Sequence, residues 1–396
     1  MSATKAGRPR HVCLLSQPIA WGGTELYTVE LAATLVARGH SVTLVEFGGS
    51  LFATRARLAD GVRLVTLEFD VPPDAVTFRR WVRILRGLRG YGAVFIKGQI
   101  NMGSLALDLA ARLCFRRYIV IEQISPPRPP PARSKRHFGF VPGLGLWRLP
   151  HIWPTYQRSF GPQRIVGVSR RLLGELQEYR YPRRKLLAVP NGVDTQLYRP
   201  DPVRRAATRE AWGVPPDALV FGTVARLLVS HKAQNLAVDA FAKLRSAHPD
   251  RDPWYVLVGE GPDRDKLETQ AREAGVGHRV VFAGYTEQPR AAHCGLDIFV
   301  LPSKVEGTPI ALLEAIACGV CPIAMDVGGV ADVIPDPSLG WLVPAADREA
   351  LLAAMRDALL QTPEERATMG RLARGHVERE FQASDQFGKI AALLEA

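Results

Sequence analysis

Phe299 to Gly319 reads FVLPSKVEGTPIALLEAIACG and sets Glu306 and Glu314 eight residues apart around a Thr308-Pro309 pair. Ile298 to Leu301 form a short apolar run suited to a buried parallel strand, and Ser303 to Gly307 turn the chain. Thr308 then stands where an N-cap belongs and Pro309 where the first helical residue belongs, so a helix is expected to start there. The free amides of its first turn, those of Thr308, Ile310 and Ala311, would face back over the strand end and attract an anion such as a diphosphate. Carboxylates beside a diphosphate are repelled by it. Glu306 in the loop and Glu314 in the helix therefore suit hydrogen bonds from uncharged hydroxyls, those of a sugar ring and a ribose. A capped core helix with an exposed glutamate at each end accounts for the same pattern.

Two cations could serve the same anion. Arg226 closes an expected strand over Leu219 to Ala225, and Lys232 follows six residues later, before a helical stretch around Leu236 to Leu244. Together they could clamp a diphosphate and stabilise the charge of a leaving group; singly they are ordinary surface residues. Near the start of the chain, Gly22 and Gly23 follow the first apolar run and precede the helical stretch Thr24 to Arg38, a placement suited to close backbone approach by a ligand. Glu46 ends the next strand, which invites a nicotinamide dinucleotide with Glu46 on its ribose. The adjacent glycines, in place of G-x-G-x-x-G, argue against that reading. Gly259 and Gly261 in VGEGP make a second, weaker glycine pair between a strand and a helix.

The elements that must position these residues alternate along the chain. His11 to Ser16, Ser41 to Phe47, Arg63 to Glu68, Ala93 to Lys97, Tyr118 to Gln123 and Arg164 to Val168 read as buried strands of a first half. Leu219 to Ala225, Trp254 to Val258, Arg279 to Ala283, Ile298 to Leu301 and Val320 to Met325 do the same in a second. Helical stretches lie between them, which predicts an α/β protein with parallel sheets. Pro190, Asn191 and Gly192 and the proline-spaced run Pro200 to Pro216 read as a linker and boundary. Two doubly wound domains with a cleft between them follow. The 396 residues, 47% apolar and 23% charged, fit a two-domain globular protein. Neither a signal peptide nor a transmembrane helix is read from the apolar runs, which fall short of the roughly 18 residues a span needs. Five scattered cysteines fit reduced thiols in a cytosol, and the C-x-x-C of Cys318 and Cys321 lies past a helix end rather than at an exposed helix start.

Charge is divided unevenly. Of 51 Lys+Arg and 39 Asp+Glu, residues 1 to 190 hold 29 and 11, a net of +18, and the remainder nets −6. Such a half could attract nucleic acid, an acidic substrate or an anionic membrane surface. A helix within Asp74 to Arg89 would place Phe78, Trp81, Val82, Leu85 and Leu88 on one face and Arg79, Arg83 and Arg86 opposite. That face either covers a sheet, with solvated arginines behind it, or meets lipid. The basic, Pro-rich Pro126 to Arg136, with Trp147, Trp153 and Tyr156 beyond it, could close over an acceptor or touch lipid. No recognisable reader motif accompanies the charge, so nucleic acid is not an expected partner.

Taken in order, these motifs resemble the retaining glycosyltransferases of family 4. The resemblance rests on WGGTELYTVELAATLVARGHSVTLV, VGVS, PNGVDTQLYRP, the Arg226 and Lys232 pair, LVGEGP, VVFAGY and EGTPIALLEAIACGVCPIAMDVGGVADVI, where Glu306 and Glu314 match the family's E-x7-E. It implies a GT-B fold, two Rossmann-like domains facing across a cleft. The expected division is residues 1–195 for the acceptor, 196–378 for the nucleotide sugar, and 379–396 as a C-terminal helix crossing back. It implies transfer of a sugar from a UDP- or GDP-linked donor to an acceptor hydroxyl, with retained configuration and no cofactor or metal. Arg226 and Lys232 would bind the diphosphate, Glu306 and the amides of Gly307, Thr308 and Ile310 beside Pro309 the donor sugar, and Glu314 the ribose. Gly284 would line the base pocket, and Gly22 and Gly23 would approach the donor from the opposite domain on closure. Asp250 to Asp252 and Asp263 to Asp265 each read Asp-x-Asp, but neither sits in a metal position of the family. Many members carry a histidine where this chain has Gln123, and a second histidine position reads Gly98-Gln99. Glutamine cannot act as a base, although it can orient a sugar hydroxyl while the donor phosphate takes the proton. The expected protein is a cytoplasmic enzyme, at the membrane's inner face where the basic half allows it, building a polysaccharide, glycolipid or glycosylated natural product. A catalytically silent sugar-nucleotide or glycan-binding protein is the alternative.

Overall fold

A computed structural model describes residues 9–16, 22–47, 52, 58–69, 76–88, 90–97, 105–124, 161–178 and 181–396. They fall into two compact units, one of described residues up to Pro190 with Gln386–Ala396, the other Asn191–Asp385. The first holds β1 (His11–Ser16), β2 (Ser41–Phe47), β3 (Val62–Leu67), β4 (Gly92–Lys97), β5 (Arg117–Glu122), β6 (Arg164–Gly167) and β7 (Leu186–Ala188). Its sheet runs β3-β2-β1-β4-β5-β6-β7, every pairing parallel.

The second unit holds β8 (Val220–Val224), β9 (Trp254–Val258), β10 (Val280–Gly284), β11 (Ile298–Leu301), β12 (Cys321–Met325) and β13 (Trp341–Val343), in the parallel order β10-β9-β8-β11-β12-β13. Alternate residues of its strands feed two separate cores. Ile298 and Val300 enter the one with Phe221, Tyr255 and Ile323, and Phe299 and Leu301 the one with Val220, Val256 and Ala324. A strand apolar on both faces is what a sheet covered by helices on both sides requires, and it explains why these runs show no polar alternation.

Most expected strands are present to within a residue. Two three-residue edge strands, β7 and β13, are additional. Pro200 to Pro216 is not a linker. Asp201 caps a helix over Pro202–Trp212 by accepting from the Arg204 amide at 3.0 Å, Pro202 occupies its first turn, and Gly213 ends it at φ 67°. Arg209 on that helix is buried and fully engaged, donating to the Gly295, Pro216 and Ala218 carbonyls and, at 2.6 Å, to Asp297 Oδ2. The amphipathic helix spans Phe78–Leu88. Trp81 and Leu85 are buried against the first sheet, Arg79, Arg83 and Arg86 face solvent, and Phe78 is 41% exposed. The basic Pro126 to Arg136 stretch, Trp147, Trp153, Tyr156, Gly98 and Gln99 lie outside the described residues. No helix among the described residues is long and apolar enough to cross a membrane.

A last helix, Ala383–Glu395, reaches the first unit. Phe387 packs edge-on to Tyr27 with ring centroids 5.1 Å apart, and Arg38 and His40 hold Glu395 at 3.2 and 3.1 Å.

Candidate functional site

In an open parallel sheet, the place where strand order reverses leaves two neighbouring loops diverging to opposite sides, and ligands bind in the crevice between them. In the second unit that place lies between β8 and β11, and the loops are those carrying Arg226 and Glu306. Backbone geometry sets the first. Gly259 just beyond β9 has φ 139°, and a Cβ there would lie 2.0 Å from the Ala225 carbonyl oxygen, so only glycine lets the β8 loop pass. The buried Gln234 donates to the Arg226 carbonyl at 2.8 Å, which turns the exposed guanidinium outward. Among the described residues it has no ion-pair partner.

Lys232 ends a short helix, Val229–Lys232, held from two sides. Asp263 Oδ2 accepts from the Val229 amide at 2.9 Å, and the Lys304 amide donates to the His231 carbonyl at 2.8 Å, tying this turn to the β11 loop. The Lys266 ammonium and the Val229 amide hold the Asp263 carboxyl below the ordinary aspartate range. Asp263 is thus a structural pin, and Asp252 is bound by Arg279 and Arg245.

The two loops meet where Lys232 Nζ donates to Glu306 Oε1 at 2.5 Å, with side chains 28% and 9% exposed. Gly328, at φ 55°, lies beneath Glu306. A Cβ on it would stand 2.0 Å from the Glu306 carbonyl oxygen, and the neighbouring Gly329 amide donates to the Gly307 carbonyl at 2.6 Å. Asn191 Nδ2 donates to the Thr308 carbonyl at 2.8 Å, fixing the loop's other end.

The helix start differs by one residue from the expected one. Pro309, with ψ 112°, is extended and takes the N-cap position. The helix spans Ile310–Ala317, its N-cap Pro309 has no side-chain cap, and the buried Thr308 stands one residue before it. Proline's φ suits a first turn, but its carbonyl is already the acceptor for the Leu312 and Leu313 amides at 3.1 and 3.2 Å, which is the role of an N-cap. Among the described residues the Ile310 and Ala311 amides have no partner, so they remain available to an anion. Glu314 projects from the next turn, almost wholly buried, with Oε2 3.1 Å from Nε2 of the buried His293.

Gly284 ends β10 at φ 75°, its carbonyl accepting from the Gly259 amide at 2.8 Å. One unit therefore brings together Arg226, Lys232, Glu306, Gly307, Thr308, Pro309, Ile310 and Glu314 around the β8–β11 switch, with Gly284 beside Gly259. Gly22, Gly23 and Gln123 belong to the other. Gly22 precedes the Gly23–Ala37 helix, and Gln123 is buried one residue past β5, its amide donating to the Lys97 carbonyl at 3.0 Å. Sequence reasoning gave no role to Gln234, His293 or Gly328, read Asn191 only as linker, and noted Asp263 only as an Asp-x-Asp outside a metal position. The Gly328-Gly329 pair was a usable signal, whereas His293 carried none. Cys318 and Cys321 are buried free thiols.

Known proteins resemble both halves of the chain. Residues 21–197 match the model of Glycosyltransferase Family 4, and residues 204–376 that of Glycosyl transferases group 1. D-inositol 3-phosphate glycosyltransferase of Kribbella flavida is 30% identical over 404 residues, covering 93% of this chain and 90% of that protein. GDP-mannose-dependent alpha-(1-6)-phosphatidylinositol monomannoside mannosyltransferase of Mycolicibacterium smegmatis is 34% identical over 259 residues, 63% of this chain and 66% of that protein. The match to its Mycobacterium tuberculosis counterpart spans 56% of that enzyme, so these alignments cover about half to two thirds of the mannosyltransferases. The crystal structure of Anabaena HepE with UDP and glucose superposes with a TM-score of 0.73 at 17% identity, covering 97% of this chain and 99% of that one. The chain belongs to glycosyltransferase family 4 and has the two-domain α/β GT-B fold.

Proposed function

We propose that the protein is a retaining glycosyltransferase that moves a sugar from a nucleotide-sugar donor to an acceptor hydroxyl without an obligatory metal. The observation that carries this is the Lys232–Glu306 contact at the sheet's switch point, beside the Ile310 and Ala311 amides, which have no partner among the described residues. An ammonium has three protons. Glu306 takes one at 2.5 Å, and the others can reach phosphate oxygens. With Arg226 and the helix amides, Lys232 supplies fixed positive charge where the leaving diphosphate becomes more negative, which is the electrostatic part of the rate enhancement. Those charges do the work that a divalent ion does in other transferases.

Glu306, one atom away from that ammonium, accepts from hydroxyls of the donor sugar and so sets its reacting carbon. Glu314, deeper on the helix, accepts from the ribose, and Gly284 lies where backbone can approach the base. Attack from the face of the leaving group, with a phosphate oxygen taking the acceptor's proton, retains configuration and needs no base at Gln123, which orients the acceptor hydroxyl.

A GDP-linked donor is favoured by the GDP-mannose-dependent relatives, and UDP is the nucleotide bound by the HepE neighbour. The acceptor class is a growing polysaccharide, a glycolipid or a glycosylated natural product, reached from the cytoplasmic side. Glu306→Ala and Lys232→Ala are each expected to lower donor turnover about 10³-fold. Wild-type rates in either purified variant would refute the assignment, and a wild-type protein that binds but never turns over any donor in a panel would make it a silent binder. Arg79, Arg83 and Arg86 beside the exposed Phe78 suit an anionic bilayer surface. Sedimentation with vesicles should show a salt-sensitive preference for anionic over neutral lipid, and equal sedimentation with both would remove the membrane from the proposal.

A further inference from the structure

His293 is the one member of the Glu314 constellation for which the proposed chemistry has no use. It lies on the Pro289–Gly295 helix, 0% exposed, between the rings of Phe299 and Tyr198 at centroid distances of 5.6 and 6.4 Å. Nε2 meets Glu314 Oε2 at 3.1 Å, while Nδ1 is buried and has no partner among the described residues. This asymmetry selects the tautomer. An imidazolium, or a neutral ring protonated at Nδ1, would bury an N–H with no acceptor among the described residues, which is unfavourable. The neutral ring protonated at Nε2 leaves only a lone pair there and donates to Glu314. A carboxylate that has one oxygen held by a rigid, fully packed donor can no longer rotate about its last torsion. Its other oxygen then points in one direction.

We propose that His293 is a positioning residue for the nucleotide's ribose. By holding Oε2, it presents Glu314 Oε1 as a fixed, single acceptor, so that the site reads one ribose hydroxyl and discriminates against a nucleotide lacking it. The proposal rests on the reading of Glu314 as the ribose acceptor. A buried polar group that is only structural would support every ligand alike, whereas a positioning group acts only on the ligand that has the hydroxyl.

The test is a cycle between protein and ligand. Calorimetric titrations of GDP and UDP identify the nucleotide that binds, and its 2′-deoxy and 3′-deoxy forms are then compared in wild type, His293→Leu, His293→Gln and Glu314→Gln. Wild type should bind the ribonucleotide about tenfold or more tightly than one of the deoxy forms. His293→Leu keeps the apolar packing and removes the donor; it should weaken the ribonucleotide about 5–20-fold and leave that deoxy form unchanged, which also reports that the variant is folded. His293→Gln, with an amide able to reach the same oxygen, should restore most of the discrimination. Equal losses for ribo and deoxy ligands in His293→Leu, or no difference between His293→Gln and His293→Leu, would overturn the proposal. Full ribose discrimination in Glu314→Gln would instead sink the underlying reading of Glu314.

Discussion

Lys232 and Glu306 meet at 2.5 Å beyond β8 and β11; Lys97 and Glu122 meet at 3.4 Å at the ends of β4 and β5. The residue types correspond, but Lys232 and Glu306 flank their sheet's switch point, whereas Lys97 and Glu122 lie on neighbouring strands one step past the β1–β4 switch of theirs, and the surroundings differ as well. Lys232 keeps 28% of its side chain in solvent, whereas Lys97 keeps 12% and faces Asp108 and Tyr181 as well as Glu122. Burial alone would pull the Lys97 ammonium down, but Glu122, Asp108 and Tyr181 together hold it above the ordinary lysine range, while burial pushes the Glu122 carboxyl up against the opposing pull of Lys97. The carboxylates are alike, 9% exposed for Glu306 and 7% for Glu122, so the difference lies in the ammonium, and the better solvated Lys232 can take up a phosphate oxygen at the smaller cost. The more buried Lys97 cannot do so without stranding a charge. One unit thus holds a partly solvated ion pair at its switch point and the other a more buried pair one strand past its own, so position in the sheet and solvation together separate the two.

The largest break in this comparison is a matched pair of substitutions. Lys97→Ala should destabilise its unit by about 3–5 kcal/mol, because Glu122 is left buried and uncompensated, whereas Lys232→Ala, which removes a better solvated ammonium, should cost less and lower turnover about 10³-fold. Denaturant melts of both variants beside a donor-turnover assay decide it. Similar stability losses for the two would show that the pairs are alike after all.

How far the sequence exposed this contrast depended on distance along the chain. The E-x7-E spacing, the strand before it and the glycine turn after β1 are local patterns, and each lies where it was expected. The helix over Pro202–Trp212 was hidden because Pro200, Pro202, Pro215 and Pro216 look like linker punctuation. Pro202 is in fact a first-turn proline behind the Asp201 cap, and burial of Arg209 on Asp297 is an 88-residue contact no local pattern reveals. The Lys232–Glu306 pairing spans 74 residues and that of His293 with Glu314 spans 21, so the residue types were legible while their partnership was not. The helix start was misplaced by one position because Thr-Pro reads as an N-cap and first helical residue, whereas Pro309 is itself extended at the N-cap.

A smaller effect sharpens the second unit's side. With φ 55° and the Glu306 carbonyl oxygen 2.0 Å from where a Cβ would sit, Gly328→Ala must displace the loop that aims Glu306. A shift of this size should lower donor affinity and turnover about 10–100-fold, with little effect on nucleoside binding at Glu314. Equal losses for nucleotide sugar and free nucleoside diphosphate would mean that Gly328 supports the whole unit rather than this loop.

The smallest effect concerns Glu25, in the first turn after Gly22 and Gly23. Burial pushes its carboxyl up from 4.5 to about 7, although the amides of Glu25 and Gly22 pull the other way. The unfolded chain releases this proton near 4.5, before the folded one does, so stability falls as pH rises between 4.5 and about 7; the full cost is present above 7 and absent below 4.5. The shift sets a ceiling of about 3 kcal/mol, and relaxation around a buried carboxylate reduces it to roughly 1–2 kcal/mol. Asp263 in the second unit has the opposite sign: its carboxyl is held low by Lys266 and the Val229 amide, and its contribution is lost as pH falls. Glu25→Gln should therefore raise the denaturation midpoint at pH 8, leave it unchanged at pH 4.5, and remove the downward slope between. A constant offset at every pH would show that the carboxyl is not strained by burial, and that the two units do not differ in how they treat charge at a helix start.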